Sequence, residues 1–455
     1  MKTSRIKYAG LLLSAALAVV MSARSIGPPV MRTGAQVDGG ITCTACHLGS
    51  TANSDPRGKL TVLANEYKPG VKQTIRVIFE HPEALRWGFQ LTARVASEET
   101  RKAGTITHTD LIRVQCGGTP PPPDGQCGEA NEFASHVAAS TFAGQRNSAF
   151  WDLEWTPPAT DVGEVIFYAA GNAGNNSGNN QGDIIYTTST RIQAAVPCNL
   201  TERPRITSVR NGASSLIGPL GINTLIRIEG TGFARAGENR TANVLDINEA
   251  KYPNTLGCVA VEVGGRRAPV LSVNNIRIDT QVTTLFDQGA TPFRVIVNPG
   301  TSNELVSDSL ITTVRDYSPA FFRLEPTPCI DGRFAETGEI TADPALFPNV
   351  RAAKIGDELI LFATGLGPTE PVYQAGEIPG RSWPVRDPIS IEWNGQGVSP
   401  SDIVFIGIPA GQISGFYHIR LKVPSFARPG VHNQVRIRTA DGILSPEGTT
   451  IAVAP

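Results

Sequence analysis

Phe89-Gln90-Leu91-Thr92-Ala93-Arg94-Val95 alternates apolar and polar side chains without a break, so Phe89, Leu91, Ala93 and Val95 face one way along an extended strand. Working outward, Thr74-Ile75-Arg76-Val77-Ile78-Phe79 has the same character upstream. Phe150 to Trp155 and Val165-Ile166-Phe167-Tyr168-Ala169-Ala170 read as strands downstream. A polar loop, Gly171-Asn172-Ala173-Gly174-Asn175-Asn176-Ser177-Gly178-Asn179-Asn180, separates the last of these from Ile184-Ile185-Tyr186. Short strands at this spacing, broken by turn-forming residues, predict an antiparallel β-sandwich.

The pattern continues. A boundary falls near Cys198-Asn199-Leu200-Thr201-Glu202-Arg203-Pro204, and a second β module with Leu225 to Glu229, Cys258 to Val263 and Phe293 to Val297 runs to about Pro319. A third contains Leu359 to Phe362, Ile389 to Trp393, His418 to Val423 and Gln434 to Arg438. Both alternate apolar with polar residues, as sheets with one buried face require. They share a glycine-rich step, Ile228-Glu229-Gly230-Thr231-Gly232-Phe233 and Leu361-Phe362-Ala363-Thr364-Gly365-Leu366-Gly367, which hints at a weak internal repeat. The expected fold is all-β: three consecutive Ig-like antiparallel β-sandwich domains at 25–197, 198–319 and 320–455, after a signal peptide at 1–24.

Composition agrees. The 455 residues include Gly 46 and Pro 34 but only 18% charged residues, which suits a turn-rich β protein. Forty basic and 41 acidic residues leave a net charge of -1. With the charges interspersed there is no basic field for nucleic acid and no polyacidic tail, so charge nominates no partner. Lys2, Arg5 and Lys7 precede an apolar core from Ala9 to Met21, and the small residues Ser22, Ala23 and Ser25 follow, which reads as a secretory signal. That core is too short for a membrane span of ~20 residues. No cysteine sits at the cleavage region, and no later segment is apolar for long enough. The expectation is an exported chain, periplasmic, cell-surface or extracellular, with no transmembrane anchor beyond the cleaved signal.

Seven cysteines in an exported chain are expected to be oxidised or ligated. Cys116 and Cys127 bracket Gly-Gly-Thr-Pro-Pro-Pro-Pro-Asp-Gly-Gln, a turn-rich loop whose ends meet easily, and a disulfide is expected there. Cys198, Cys258 and Cys329 leave one thiol over. The remaining pair lies in Cys43-Thr44-Ala45-Cys46-His47, the C-x-x-C-H spacing of c-type haem attachment.

Three readings compete for these residues. In the first, Cys43 and Cys46 bind one haem c covalently and His47 is the proximal iron ligand. In the second, the cysteines are held in disulfides, with each other or elsewhere. In the third they enter a Cys2His-type zinc site, which lacks a fourth ligand. For the sixth iron position the candidates are His136 first, then Met31, His81 and His108. His136 also has an ordinary reading as a solvated strand histidine. His418 and His432 are too remote in the sequence.

Other signals are weaker. The loop ending at Asp183 holds one carboxylate where calcium loops offer several, so it reads as a surface turn. Trp87, Trp151 and Trp155 suit a sandwich core or haem-pocket wall better than a carbohydrate platform. No Ser-His-Asp constellation is apparent, and no enzymatic activity is expected.

Gly27-Pro28-Pro29 before the C-x-x-C-H, Arg86-Trp87-Gly88-Phe89-Gln90-Leu91, Trp155-Thr156-Pro157-Pro158, and Phe167 to Ala173 running on to Gly182-Asp183 together resemble the bacterial Reeler-like domain, also called choice-of-anchor V. The resemblance implies an Ig-like β-sandwich in a secreted or surface protein, with no established enzymatic activity. From about Pro204 onward the chain resembles the paired Ig-like C-terminal module of secreted acidobacterial proteins, through Phe362 to Pro368 and Gly415-Phe416-Tyr417-His418-Ile419 before Val423-Pro424. Gly230-Thr231-Gly232-Phe233 is similar to immunoglobulin-like folds of the IPT type. These modules imply architecture and no defined role.

The combined expectation is an exported monohaem c-type electron-transfer or redox-sensing protein, with β modules as spacers or attachment domains and an unknown redox protein as partner. The alternative is a haem-free extracellular adhesion or matrix-binding protein, with Cys43 and Cys46 in disulfides and an extracellular surface component as partner. A carbohydrate-associated accessory module is a third class.

Overall fold

Period-two alternation becomes strand almost everywhere. The computed structural model describes residues 26–284 and 288–455, so the signal expected at 1–24 lies outside the described residues. The chain divides into two compact units, Met1–Val196 and Pro197–Pro455.

In the first unit, four strands form one sheet: β1 (Lys59–Leu63), β2 (Gln73–His81), β5 (Thr105–Ile106) and β8 (Asn147–Thr156), ordered β1-β2-β8-β5. The facing sheet is ordered β10-β9-β3-β7-β6, from β3 (Arg86–Val95), β6 (Ile112–Cys116), β7 (Glu132–His136), β9 (Val165–Gly174) and β10 (Ile184–Ile192), with β4 (Glu98–Lys102) on β3. All pairings are antiparallel. Phe89, Leu91, Ala93 and Val95 share one core with Val77, Phe79, Leu153, Phe167, Trp87, Trp151 and Trp155, so all three tryptophans are sandwich core. The indole N–H groups are satisfied inside it: Trp151 donates to Ser140 O at 2.8 Å and Trp155 to Ala103 O at 2.8 Å.

The opposite face of β3 is buried as well. Residues 26–58 run across it as a strap with only short 3₁₀ turns, among them Cys43–Ala45. Gln90 grips the strap backbone at two points, accepting from Arg32 N–H at 2.6 Å and donating to Pro29 O at 2.9 Å. The Arg94 guanidinium, with no exposed surface, pairs with Asp38 at 2.7 Å. Asn53 exchanges two bonds of 3.0 Å with Thr187 on β10. The backbone of this stretch is irregular, yet it is seated on the sheet.

In the second unit, strands between Arg205 and Arg315 form two sheets around a core containing Ile226, Ile228, Val261, Ile278, Phe293 and Val295. Strands between Ala320 and Val453 form two more, around Leu359, Leu361, Trp393, Ile419, Leu421 and Ile437. The strand ladders are antiparallel apart from Leu220–Gly221 on Leu310–Arg315, and isolated parallel bridges join Cys329 to Thr450 and Ala353 to Val453. The two halves meet through buried polar groups. Gln281 donates to Asn223 O at 2.8 Å and to Ser414 O, and accepts from Gly376 N–H at 2.7 Å. Asn211 donates to Ser318 O at 3.0 Å, and Thr364 accepts from Leu225 N–H at 3.0 Å.

Two disulfides close loops: Cys116–Cys127, as expected, and Cys198–Cys258. Cys329 is the thiol left over, buried and free. Among the described residues no helix is long and apolar enough to cross a membrane.

Candidate functional site

Thr42 begins the turn that carries the two thiols, its hydroxyl accepting from Thr44 N–H at 3.2 Å as an N-cap does. Cys46 N–H and His47 N–H then both reach Cys43 O, at 3.1 and 2.9 Å. The turn points its two sulfurs into different environments. Cys43 retains 8% of its surface and packs with Ala170 and Ile185 against Ala52. Burial, and after it the nearby Cys46 charge, push its thiol up to about 12, so it behaves as a small apolar side chain. Cys46 is half-buried, and its carbonyl accepts from Asn180 Nδ2 at 2.7 Å. Neither cysteine is in a disulfide, which corrects the pairing attached to the haem-free alternative.

His47 is held from across the unit. Its Nδ1 lies 2.6 Å from Asp183 Oδ2, and Asn172 Nδ2 lies 3.1 Å from the same nitrogen and 3.2 Å from the same carboxylate oxygen. Asp183 is buried, and its other oxygen accepts from Asn175 N–H at 3.0 Å. Asp183 therefore closes its own loop and clamps the histidine. Sequence reasoning singled out that loop but assigned it no partner, because nothing local connects it to a residue more than 130 positions away.

His136 lies on the same face. Gly88 pairs with Asn172 across β3 and β9, and a Cβ on Gly88 would come within 2.7 Å of the His136 ring, so only glycine lets the imidazole lie there. His136 Nδ1 sits 3.0 Å from Phe89 N and 3.2 Å from Phe89 O, so the backbone occupies that nitrogen in either tautomer. Burial drives its pKa down to about 4 against the pull of the Phe89 bond, and His47 is close enough for its charge to add to the effect. The solvated-strand reading of His136 is thus corrected: the ring is buried. Asn172 Oδ1 and Ser135 Oγ beside it are buried without hydrogen-bond partners.

The other candidates are dispersed. Met31 sits half-exposed on the strap with a positive φ of 63°. His81 is buried at the end of β2, its Nε2 3.3 Å from Asp55, and His108 Nδ1 accepts from Val114 N–H at 3.3 Å. Among the described residues no group of three or more His, Cys, Asp or Glu is placed to hold a metal ion.

A porphyrin does not fit this arrangement as folded. Thioether attachment needs both sulfurs at the edge of one macrocycle, and the space around Cys43 is filled by the sheet and by Ala52.

No family profile and no curated protein matches the chain. Among solved structures, two forms of the human F-spondin reeler domain are 21% and 22% identical, covering 30% and 32% of this chain and 92% and 94% of theirs, with TM-scores of 0.20 and 0.21. The seventh ScaB type I cohesin from Pseudobacteroides cellulosolvens is 8% identical over 32% of this chain and 96% of its own, with a TM-score of 0.21. At TM-scores this low the similarity bears on neither fold nor role.

Proposed function

We propose that this is an exported, haem-free, non-enzymatic protein of the adhesion or matrix-binding class, whose C-x-x-C-H segment serves to seat the strap on a Reeler-like first domain. The observation that carries the reading is the burial of Cys43 against Ala170 and Ile185. Two disulfides and an all-β architecture suit an oxidising compartment outside the cytoplasm. The partner is an extracellular surface component.

One observation favours the monohaem electron-transfer or redox-sensing reading. The Nδ1 of His47 is tied to a buried carboxylate, the arrangement that orients a metal-bound histidine through its other nitrogen. In that reading haem c is held by Cys43 and Cys46, His47 is the proximal and His136 the distal ligand, and the strap must leave the sheet at Cys43.

Production of the full chain in a host with c-type haem maturation, followed by a haem-stained denaturing gel and a visible spectrum, separates the two. A colourless protein with unmodified Cys43 and Cys46 is expected. A Soret band that survives denaturation and disappears in the Cys43→Ala, Cys46→Ala double variant would overturn the haem-free reading.

A further inference from the structure

The second compact unit holds two cores, a middle sandwich with strands between Arg205 and Arg315 and a last one with strands between Ala320 and Val453. Strand Arg277–Gln281 of the middle sandwich ends on Gln281, a side chain with no exposed surface. Both ends of its amide are used. Nε2 serves Asn223 O in its own sandwich and Ser414 O in the last one, while Oε1 takes the N–H of Gly376, again from the last one. Around this amide, residues 372–378 of the last sandwich lie along the middle one. Tyr373 O accepts from Asn223 Nδ2 at 2.9 Å, and Ala375 N–H donates to Thr284 Oγ1 at 3.2 Å. Gly376 O accepts from Tyr252 N–H at 2.9 Å, and Ile378 N–H donates to Ala250 O at 2.8 Å. These two bonds frame an antiparallel bridge between Lys251 and Glu377, whose side chains pair at 3.2 Å.

The same segment is held from its own side. Ser414 donates its hydroxyl to Gln374 O at 2.7 Å and its N–H to Glu377 O at 2.7 Å. Two glycines let the sandwiches approach this closely. A Cβ on Gly415 would lie 2.1 Å from Asn223 O and 2.5 Å from Gln281 Nε2, and one on Gly365 would lie 2.0 Å from Ser318 O. Their φ angles are 90° and 74°, in the left-handed region that favours glycine. Both belong to stretches that stand out in the sequence, Phe362 to Pro368 and Gly415 to Ile419, and both stretches meet at this seam.

Sandwiches joined by an ordinary polar interface move relative to one another. This seam differs because Gln281, Asn223, Ser414 and Gly376 are all buried in it. A small displacement would break several bonds at once and leave donors and acceptors away from water, so one relative placement is selected. Unfolding of the last sandwich would strip every one of these partners from the middle one. The summed loss approaches what holds a single domain together. We propose that the two sandwiches are one cooperative body, with residues 372–378 as a clasp and Gln281 as its central tie, so that packing lost in one core is felt in the other. The coupling is independent of the haem-free reading, since it uses none of the strap and involves no ligand.

The test is amide hydrogen exchange of the full chain, read peptide by peptide by mass spectrometry. Val435→Ala truncates a fully buried side chain of the last core, and Ile437→Val does so more mildly should Val435→Ala not fold. With Val435→Ala, exchange is expected to speed up by about ten-fold in Glu358–Thr364 and Tyr417–Lys422. The same acceleration is expected in Val259–Val263 and Gly289–Val297 of the middle sandwich, with β3 of the first unit unchanged. When Gln281→Ala or Gly415→Ala is added, the acceleration should stay within the last sandwich. Wild-type exchange in Val259–Val263 while the last sandwich accelerates overturns the proposal. So does undiminished transmission in both the Gln281→Ala and Gly415→Ala backgrounds.

Discussion

The two sheets of the first sandwich are made of similar strands, yet they treat their outer faces in opposite ways. β8 alternates strictly, with Ala149, Trp151, Leu153 and Trp155 buried and Phe150, Asp152 and Glu154 exposed. β3 has the same alternation in sequence, yet from Trp87 to Val95 every residue is buried, including Gln90, Thr92 and Arg94. The strap accounts for the difference. It brings backbone groups to Gln90 and a carboxylate to Arg94, so polar side chains that water would otherwise solvate are satisfied inside the protein. A polar residue in a strand thus reports only that it needs a partner, and whether the partner is water or chain depends on what lies over the sheet.

The contrast is sharpest for two arginine–aspartate pairs. Removing Arg94 leaves Asp38 buried and uncompensated, so Arg94→Ala is expected to destabilise the first unit by about 3–5 kcal/mol. Arg76, which pairs with Asp152 at 2.6 Å on the bare sheet, is expected to lose no more than about 1 kcal/mol on the same substitution. Urea unfolding of both variants measures this, and equal losses would mean that the strap does not cover β3.

A second expectation concerns acid. His136 is held neutral by burial, with a folded pKa of about 4 against the ordinary histidine value of 6.5. Between these limits the unfolded chain binds the proton and the folded one does not. Its contribution is therefore complete above about pH 6.5 and is lost as the pH falls towards 4, by on the order of 3 kcal/mol in total. His136→Gln should flatten this part of the stability–pH curve, and an unchanged slope would place the ring in solvent.

The smallest effect distinguishes the strap from the sandwich beneath it. Gln90→Ala removes two bonds to the strap backbone, worth about 2 kcal/mol together. Limited proteolysis should then cut within residues 26–42 faster while the disulfide-closed core stays intact. Uniform acceleration across the unit would show that Gln90 supports the sheet instead.

Much of the fold is legible in the sequence. The strands around Phe89, Val77, Leu153 and Phe167 follow from alternation, and Cys116–Cys127 from a short turn-rich loop between two cysteines. The Cys198–Cys258 bond was not legible, because three cysteines far apart allow several pairings and only the folded backbone brings two of them together. The candidate site was half legible. Cys43, Cys46 and His47 stand out as a motif, whereas Asn172 and Gly88 lie in the stretches that carry the resemblance without any role assigned to them, and acquire one only by pairing across β3 and β9.

The sequence by itself determined the all-β class, since alternation is a local property that each strand carries with it. Tertiary structure decided what the C-x-x-C-H does. The burial of one thiol, the clamp on His47 and the ring lying over Gly88 come from residues distant along the chain, His47 and Asp183 being 136 positions apart. Spacing can place two cysteines and a histidine within one turn, but the sheet beneath that turn sets which of them face solvent.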